Sequence, residues 1–102
     1  MKPTLLIIDD EPAIRTLLES FLEERYDCVT AGNAAEARAA IVEQYFNVVL
    51  SDIDLGGETG TELVPSIIEA SPETAVVMIS GNRDLDDAIA SIRAGAFDYV
   101  KK

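Results

Sequence analysis

Stretches that read as strands recur along the chain: Thr4 to Ile8, Cys28 to Ala31, the uninterrupted apolar run Val48 to Leu50, Ala75 to Ile79, and Phe97 to Val100. Between them, apolar residues return at helical spacing. After Pro12, Ile14, Leu17, Leu18, Phe21 and Leu22 make one stripe, with Arg15, Glu19, Glu23 and Glu24 off it. Asn33 followed by Glu36 resembles a capping box with Asn in the Ser/Thr position, and the alanine-rich helix after it turns Ala34, Ala37, Ile41 and Tyr45 inward. Leu63, Val64, Ile67 and Ile68 stripe a third helix, with Pro65 near enough to its start to be tolerated. Asp84 caps a fourth, with Leu85, Ala88, Ile89 and Ile92 inward and Gly95 at its end.

This alternation predicts an α/β fold, a doubly wound five-stranded parallel sheet of flavodoxin-like order 2-1-3-4-5. Val48 to Leu50 shows no alternation, as befits a central strand covered by helices on both faces. The pattern ends at the fifth strand, with Lys101-Lys102 last, so the expectation is one domain, residues 1–102, cut before its last helix. Apolar sheet surface would then be left uncovered, at a cost in stability or with association through that face.

A length of 102 residues fits one domain and no second. The 19 acidic against 8 basic residues give a net charge of −11, which repels phosphate backbones and anionic lipid. Direct nucleic-acid binding is therefore not expected, and acidity by itself mostly serves solubility. Cys28 is the only cysteine and there is no histidine, so an intramolecular disulfide, a cysteine metal cluster and a Cys-His pair are all excluded. Cys28 reads as a small hydrophobe on a short strand. No run approaches membrane-spanning length and Met1-Lys2-Pro3 leads straight into a strand, so the expected location is cytoplasmic.

Candidate chemistry gathers at one sheet edge. The first strand runs into Asp9-Asp10-Glu11, the third into Ser51-Asp52, the fourth into Ser80, and Lys102 follows the fifth. Ligands bind beyond the carboxyl ends of strands in open α/β sheets. Crowded carboxylates repel; a hard cation such as Mg²⁺ in an all-oxygen site removes that cost. A lysine and a hydroxyl could hold the oxygens of a phosphoryl group carried by one carboxylate. Asp52, at the end of the central strand, is the best-placed nucleophile. Taken singly, each residue has a plainer reading: Asp9 and Asp10 as helix caps, Asp52 and Ser80-Gly81-Asn82 as turns, Tyr99 as a half-buried sheet residue, Lys102 as a solvated terminus.

From Leu5 almost to its end the chain resembles the receiver domain of bacterial two-component response regulators. The resemblance rests on Leu6-Ile7-Ile8-Asp9-Asp10-Glu11, Val49-Leu50-Ser51-Asp52, Gly60, Met78-Ile79-Ser80-Gly81 and Gly95-Ala96-Phe97-Asp98-Tyr99. Each piece is weak alone; the set in this order and spacing is specific. The resemblance implies that Asp52 is the phosphoacceptor and takes its phosphoryl group from a sensor histidine kinase. It implies Mg²⁺ held directly by Asp10 and Asp52, by Asp9 through water, and by the Asp54 backbone carbonyl. Ser80 would be the switch hydroxyl and Tyr99 the switch aromatic. The family's lysine, three residues past the aromatic, falls on Lys102 rather than Lys101. Gly56 departs from the proline common after the acidic strand, and Asp54 and Asn82 occupy positions that tune phosphate lifetime in the family.

The implied function is a signalling switch with at most slow self-dephosphorylation. Its output surface would be Asp84 to Lys102, serving a homodimer or an effector domain beyond the C-terminus. Three other readings stand beside it. One is a receiver-like module acting without phosphorylation. Another is a phosphatase resembling the haloacid dehalogenase group, suggested by Asp52-Ile53-Asp54, although that motif should end the first strand. A nucleotide-binding α/β domain lacks the Gly-rich turn it would need after Ile8.

Overall fold

The computed structural model describes residues 2–52, 55, 59–80 and 98–101. Strands β1 (Thr4–Ile8), β2 (Asp27–Ala31), β3 (Val48–Asp52), β4 (Ala75–Ser80) and β5 (Asp98–Lys101) alternate with helices α1 (Pro12–Leu22), α2 (Ala34–Glu43) and α3 (Gly60–Ala70). The strands form one parallel sheet in the order β2-β1-β3-β4-β5, as the alternation predicts. The expected fourth helix after Asp84 lies outside the described residues.

One face of the sheet is fully built. Leu6 and Ile8 of β1, Val49 of β3, and Val76 and Met78 of β4 pack with Ala34 and Ala37 of α2 and Leu63, Val64 and Ile67 of α3. The small residues of α2 allow that close approach. Asn33 caps the helix by accepting from the Glu36 amide at 2.8 Å, while the Glu36 carboxylate takes the Gly32 amide rather than the amide of Asn33. Helix α2 ends at Glu43, so Tyr45 falls beyond it and is 48% exposed, not inward as the periodicity suggests.

Helix α3 starts earlier than its apolar pattern. Thr59 caps it, accepting from the Glu62 amide at 3.1 Å, and Pro65 therefore lies past the first turn. An interior proline costs about 3 kcal/mol. Leu63, Val64 and Ile67 are all wholly buried, and each fully buried side chain of this size is worth about 1.5–3 kcal/mol. Together they outweigh the break, and the helix runs through.

Among the described residues, the other face is only partly covered. Strand alternation puts Leu5, Ile7, Val48, Leu50, Ala75 and Val77 there. Leu5 and Ile7 are buried, but Val48, Leu50, Ala75 and Val77 are intermediate. Leu22 and Tyr26, in and just after α1, line a shallow cavity of about 150 Å³ with Leu5, Val48 and Leu50. The α1 stripe is real but buries no residue completely: Leu17 is 51% and Phe21 75% exposed. Among the described residues, nothing packs over these two.

Two substitutions separate the faces. Leu63→Ala should lower the free energy of unfolding in urea by about 2–5 kcal/mol. Phe21→Ser should change it by no more than about 0.5 kcal/mol; a large loss there would mean that the α1 stripe is packed in solution.

Candidate functional site

The carboxyl end of β1 supplies two of the site's acids. Parallel pairing with β2 and β3 continues as far as Ile8, which delivers Asp9 to the sheet's edge. Asp9 is then fixed in several ways. Its amide donates to the Ala31 carbonyl at 3.1 Å. Its carboxylate Oδ1 accepts from the Glu11 amide at 2.9 Å. Its backbone carbonyl accepts from Arg15 Nη1 at 2.7 Å. Asp9 is fully buried, whereas Asp10 is exposed.

The plain reading of these two acids as helix caps does not describe what they do. Glu11 is the N-cap of α1 and makes no side-chain cap bond, while Asp9 serves the amide of the cap residue itself. Pro12 opens the helix where a missing N–H costs nothing.

The third acid ends the central strand. Asp52 pairs with Ile79 across β3 and β4 and is 7% exposed. Buried Ser51 donates its hydroxyl to the Asp52 carbonyl at 2.9 Å. Carboxylate oxygens of Asp9, Asp10 and Asp52 all lie within 4.8 Å of one another. Two of these acids are buried, so their mutual repulsion is poorly screened. The donor set is entirely oxygen and anionic, with one exposed member giving access, and this fits a hard divalent cation.

The neighbouring strands bring further candidates to the same edge by their backbones. Ser80 lies one residue beyond Ile79, the partner of Asp52, and pairs with Lys101. Tyr99 pairs with Met78. The side chains of Ser80 and Tyr99 lie outside the described set, as do residues Asp54, Gly56, Asn82 and Lys102 and the fourth-helix part of the Asp84–Lys102 face.

The sequence matches the family described as response regulator receiver domain over residues 5–102. The chain belongs to that family. It is the receiver domain of a two-component response regulator, a phosphoacceptor signalling switch, and membership removes the phosphatase and nucleotide-binding readings. The transcriptional regulatory protein AruR of Pseudomonas aeruginosa is 41% identical over 108 residues, covering 100% of this chain and 44% of AruR. A CheY-like receiver domain protein from Methanospirillum hungatei JF-1 superposes with a TM-score of 0.94 at 34% identity, covering 100% of this chain and 82% of that one. A response regulator from Burkholderia pseudomallei, solved with a phosphorylated aspartic acid, a calcium ion and citrate, superposes at 0.95 with 25% identity, covering 99% of this chain and 60% of that one. The chain spans less than half the length of curated relatives such as AruR.

Two residues of this receiver site escape a reading of the sequence. Ser51 shows only as a hydroxyl between the apolar run and Asp52, and Arg15 only as a polar position off the α1 stripe. Cys28 is on β2 as expected but half-buried, and no helix among the described residues is long and apolar enough to cross a membrane. Burial raises the Cys28 pKa, and Glu19, Glu23 and Asp27 push it the same way.

Carboxylate repulsion makes the fold sensitive to cations. MgCl₂ should raise the thermal midpoint above that in NaCl of equal ionic strength, by up to about 2.7 kcal/mol of stability at a hundredfold excess over Kd. Asp10→Asn should lose most of that response; equal midpoints in the two salts for the unmodified protein would dismiss a cation site. The Cys28 thiol, held protonated at neutral pH, should be alkylated by iodoacetamide more slowly than a free peptide thiol, with the rate still climbing above pH 9.

Proposed function

We propose that Asp52 is the phosphoacceptor of this receiver domain and that its phosphoryl donor is a phosphohistidine of a sensor histidine kinase. The observation that carries the assignment is the convergence of Asp52 with Asp9 and Asp10 within 4.8 Å at the end of the central strand. In the transfer, an Asp52 carboxylate oxygen bonds to phosphorus as the bond from phosphorus to the imidazole nitrogen breaks, and the electron pair returns to that nitrogen. Asp9, Asp10 and Asp52 would hold Mg²⁺, with the Asp54 backbone carbonyl as a further ligand. Mg²⁺ suits an all-oxygen site that retains water, and its contribution when bound is to balance the charge of the phosphoryl oxygens.

Through the family resemblance, Ser80 and Lys102 are the hydroxyl and the amine that engage the phosphoryl group, and Tyr99 is the aromatic that follows. The register that sets Ser80 beside Lys101, one step past Asp52, supports these roles. Phosphorylation replaces the single negative charge of the Asp52 carboxylate with a phosphoryl group carrying about −1.5 to −2, so the strand end gains acceptor oxygens and at most about one further negative charge. That charge would bias the Asp84–Lys102 face between two arrangements, for a homodimer or for an effector domain carried by a longer parent chain. The domain itself would turn over nothing quickly beyond slow loss of its own phosphate. With a net charge of −11 it would leave nucleic acid to the effector and bind no membrane, working in the cytoplasm.

Intact-mass spectrometry after acetyl phosphate and MgCl₂ should show one added phosphoryl group on the unmodified protein and none on Asp52→Ala. Undiminished labelling of Asp52→Ala would overturn the assignment.

A further inference from the structure

We infer that Arg15 is a positioning residue for the metal-binding carboxylates, acting through the peptide that joins Asp9 to Asp10. The inference rests on the proposed cation site and extends it to a side chain that touches neither the ion nor the phosphoryl group. Asp9 stands just past the last ladder pairs of β1, so its carbonyl has passed beyond the regular pairing with β2 and β3. Arg15 Nη1 supplies a donor to that carbonyl at 2.7 Å. A peptide group is planar. Fixing the direction of the Asp9 carbonyl therefore fixes the plane in which the Asp10 amide leaves, and with it the angle at which the exposed Asp10 departs from buried Asp9.

The neighbouring loop is shaped to admit the guanidinium. A Cβ added at Gly32 would lie 3.0 Å from Arg15 Nη1 and 3.4 Å from its Cζ, so any larger residue there would press on the group. Glu36 anchors that loop, its Oε1 accepting the Gly32 amide at 2.7 Å. The carbonyl of Ala31, the residue before Gly32, in turn accepts the Asp9 amide. Arg15 on α1, the β2–α2 turn and the end of β1 are thus joined around one peptide. Six residues separate Arg15 from the carbonyl it holds, so the bond ties the first helical turns back to the strand end, and this exceeds local capping.

Groups that orient metal ligands from behind are worth about 10–100-fold in metal affinity. Titration calorimetry with MgCl₂ alone, run well below the unfolding midpoint of each variant, tests the role directly. Arg15→Met keeps the length of the side chain and removes its donors; Mg²⁺ should bind it at least about tenfold more weakly, and Arg15→Lys, which keeps a donor and the charge, should recover most of that loss. Thr74→Val is the comparison for a change in stability alone. It removes buried hydroxyl bonds to the Phe46 carbonyl and the Ser71 hydroxyl at the opposite end of the sheet, and should leave the Mg²⁺ Kd unchanged. Arg15→Met binding Mg²⁺ as tightly as the unmodified protein would overturn the positioning role and leave the cation site standing. An equal loss in Thr74→Val would overturn it too, by tracing the effect to stability. Absence of Mg²⁺ binding to the unmodified protein would remove the cation site and the inference with it.

Discussion

Three carboxylates held within 4.8 Å of one another, two of them buried, are the constraint on which the rest of this structure depends. Left to itself, such a cluster would spread apart. It is held because Asp52 closes β3 and Asp9 follows directly on the last residue of β1, with Asp10 next to it. Asp9 and Asp52 each come one residue after the last pair of the β1–β3 ladder, Ile8 and Ser51, so adjacent strands carry them side by side and apolar residues anchor them from behind. Leu6, Ile8 and Val49, wholly buried under α2 and α3, resist any displacement of those strand ends. The core is thus arranged to hold a group of like charges together, and a hard divalent cation is the ligand that such a group suits.

The same logic explains why the backbone around Asp9 is so thoroughly bonded. Its amide, carbonyl and carboxylate each have a named partner: Ala31, Arg15 and the amide of Glu11. A fully buried aspartate with a poorly fixed backbone would trade orientation for relief of repulsion. Ser51 does similar work on β3, spending its buried hydroxyl on the carbonyl of the neighbouring Asp52. Both bonds are made by side chains to main-chain oxygens at strand ends, where the regular pairing of the sheet is running out.

How much of this the sequence discloses follows from which interactions leave a pattern. Apolar runs ended by acids disclose the strands, their parallel order and the meeting of Asp9, Asp10 and Asp52, because topology alone carries strand ends to one edge. Periodicity discloses that α1 has an apolar stripe but not what lies over it, so Phe21, on that stripe, is 75% exposed. Tyr45 continues the α2 spacing in sequence, yet the helix stops at Glu43 and the spacing loses its meaning two residues later. Pro65 looks like an early-helix proline until Thr59 is seen to start the helix further back. Register carries the backbone of Ser80 one step past the partner of Asp52 and sets Tyr99 beside Met78, one step short of it; the roles of both rest on the family resemblance.

Arg15 is the instructive omission. A side chain whose partner is another side chain can be sought by charge and spacing; one whose partner is a backbone carbonyl cannot, because every residue has one. The only trace in the sequence is Gly32, and a single glycine after a short strand reads as an ordinary turn. The fold turns it into a seat for a guanidinium, since the β2 end lies beside the β1 end and α1 rises from the same edge. Residues that shape a site from behind are therefore hidden from pattern reading for a physical reason: their bonds are long in sequence, made to the main chain, and defined only once the strands are in register.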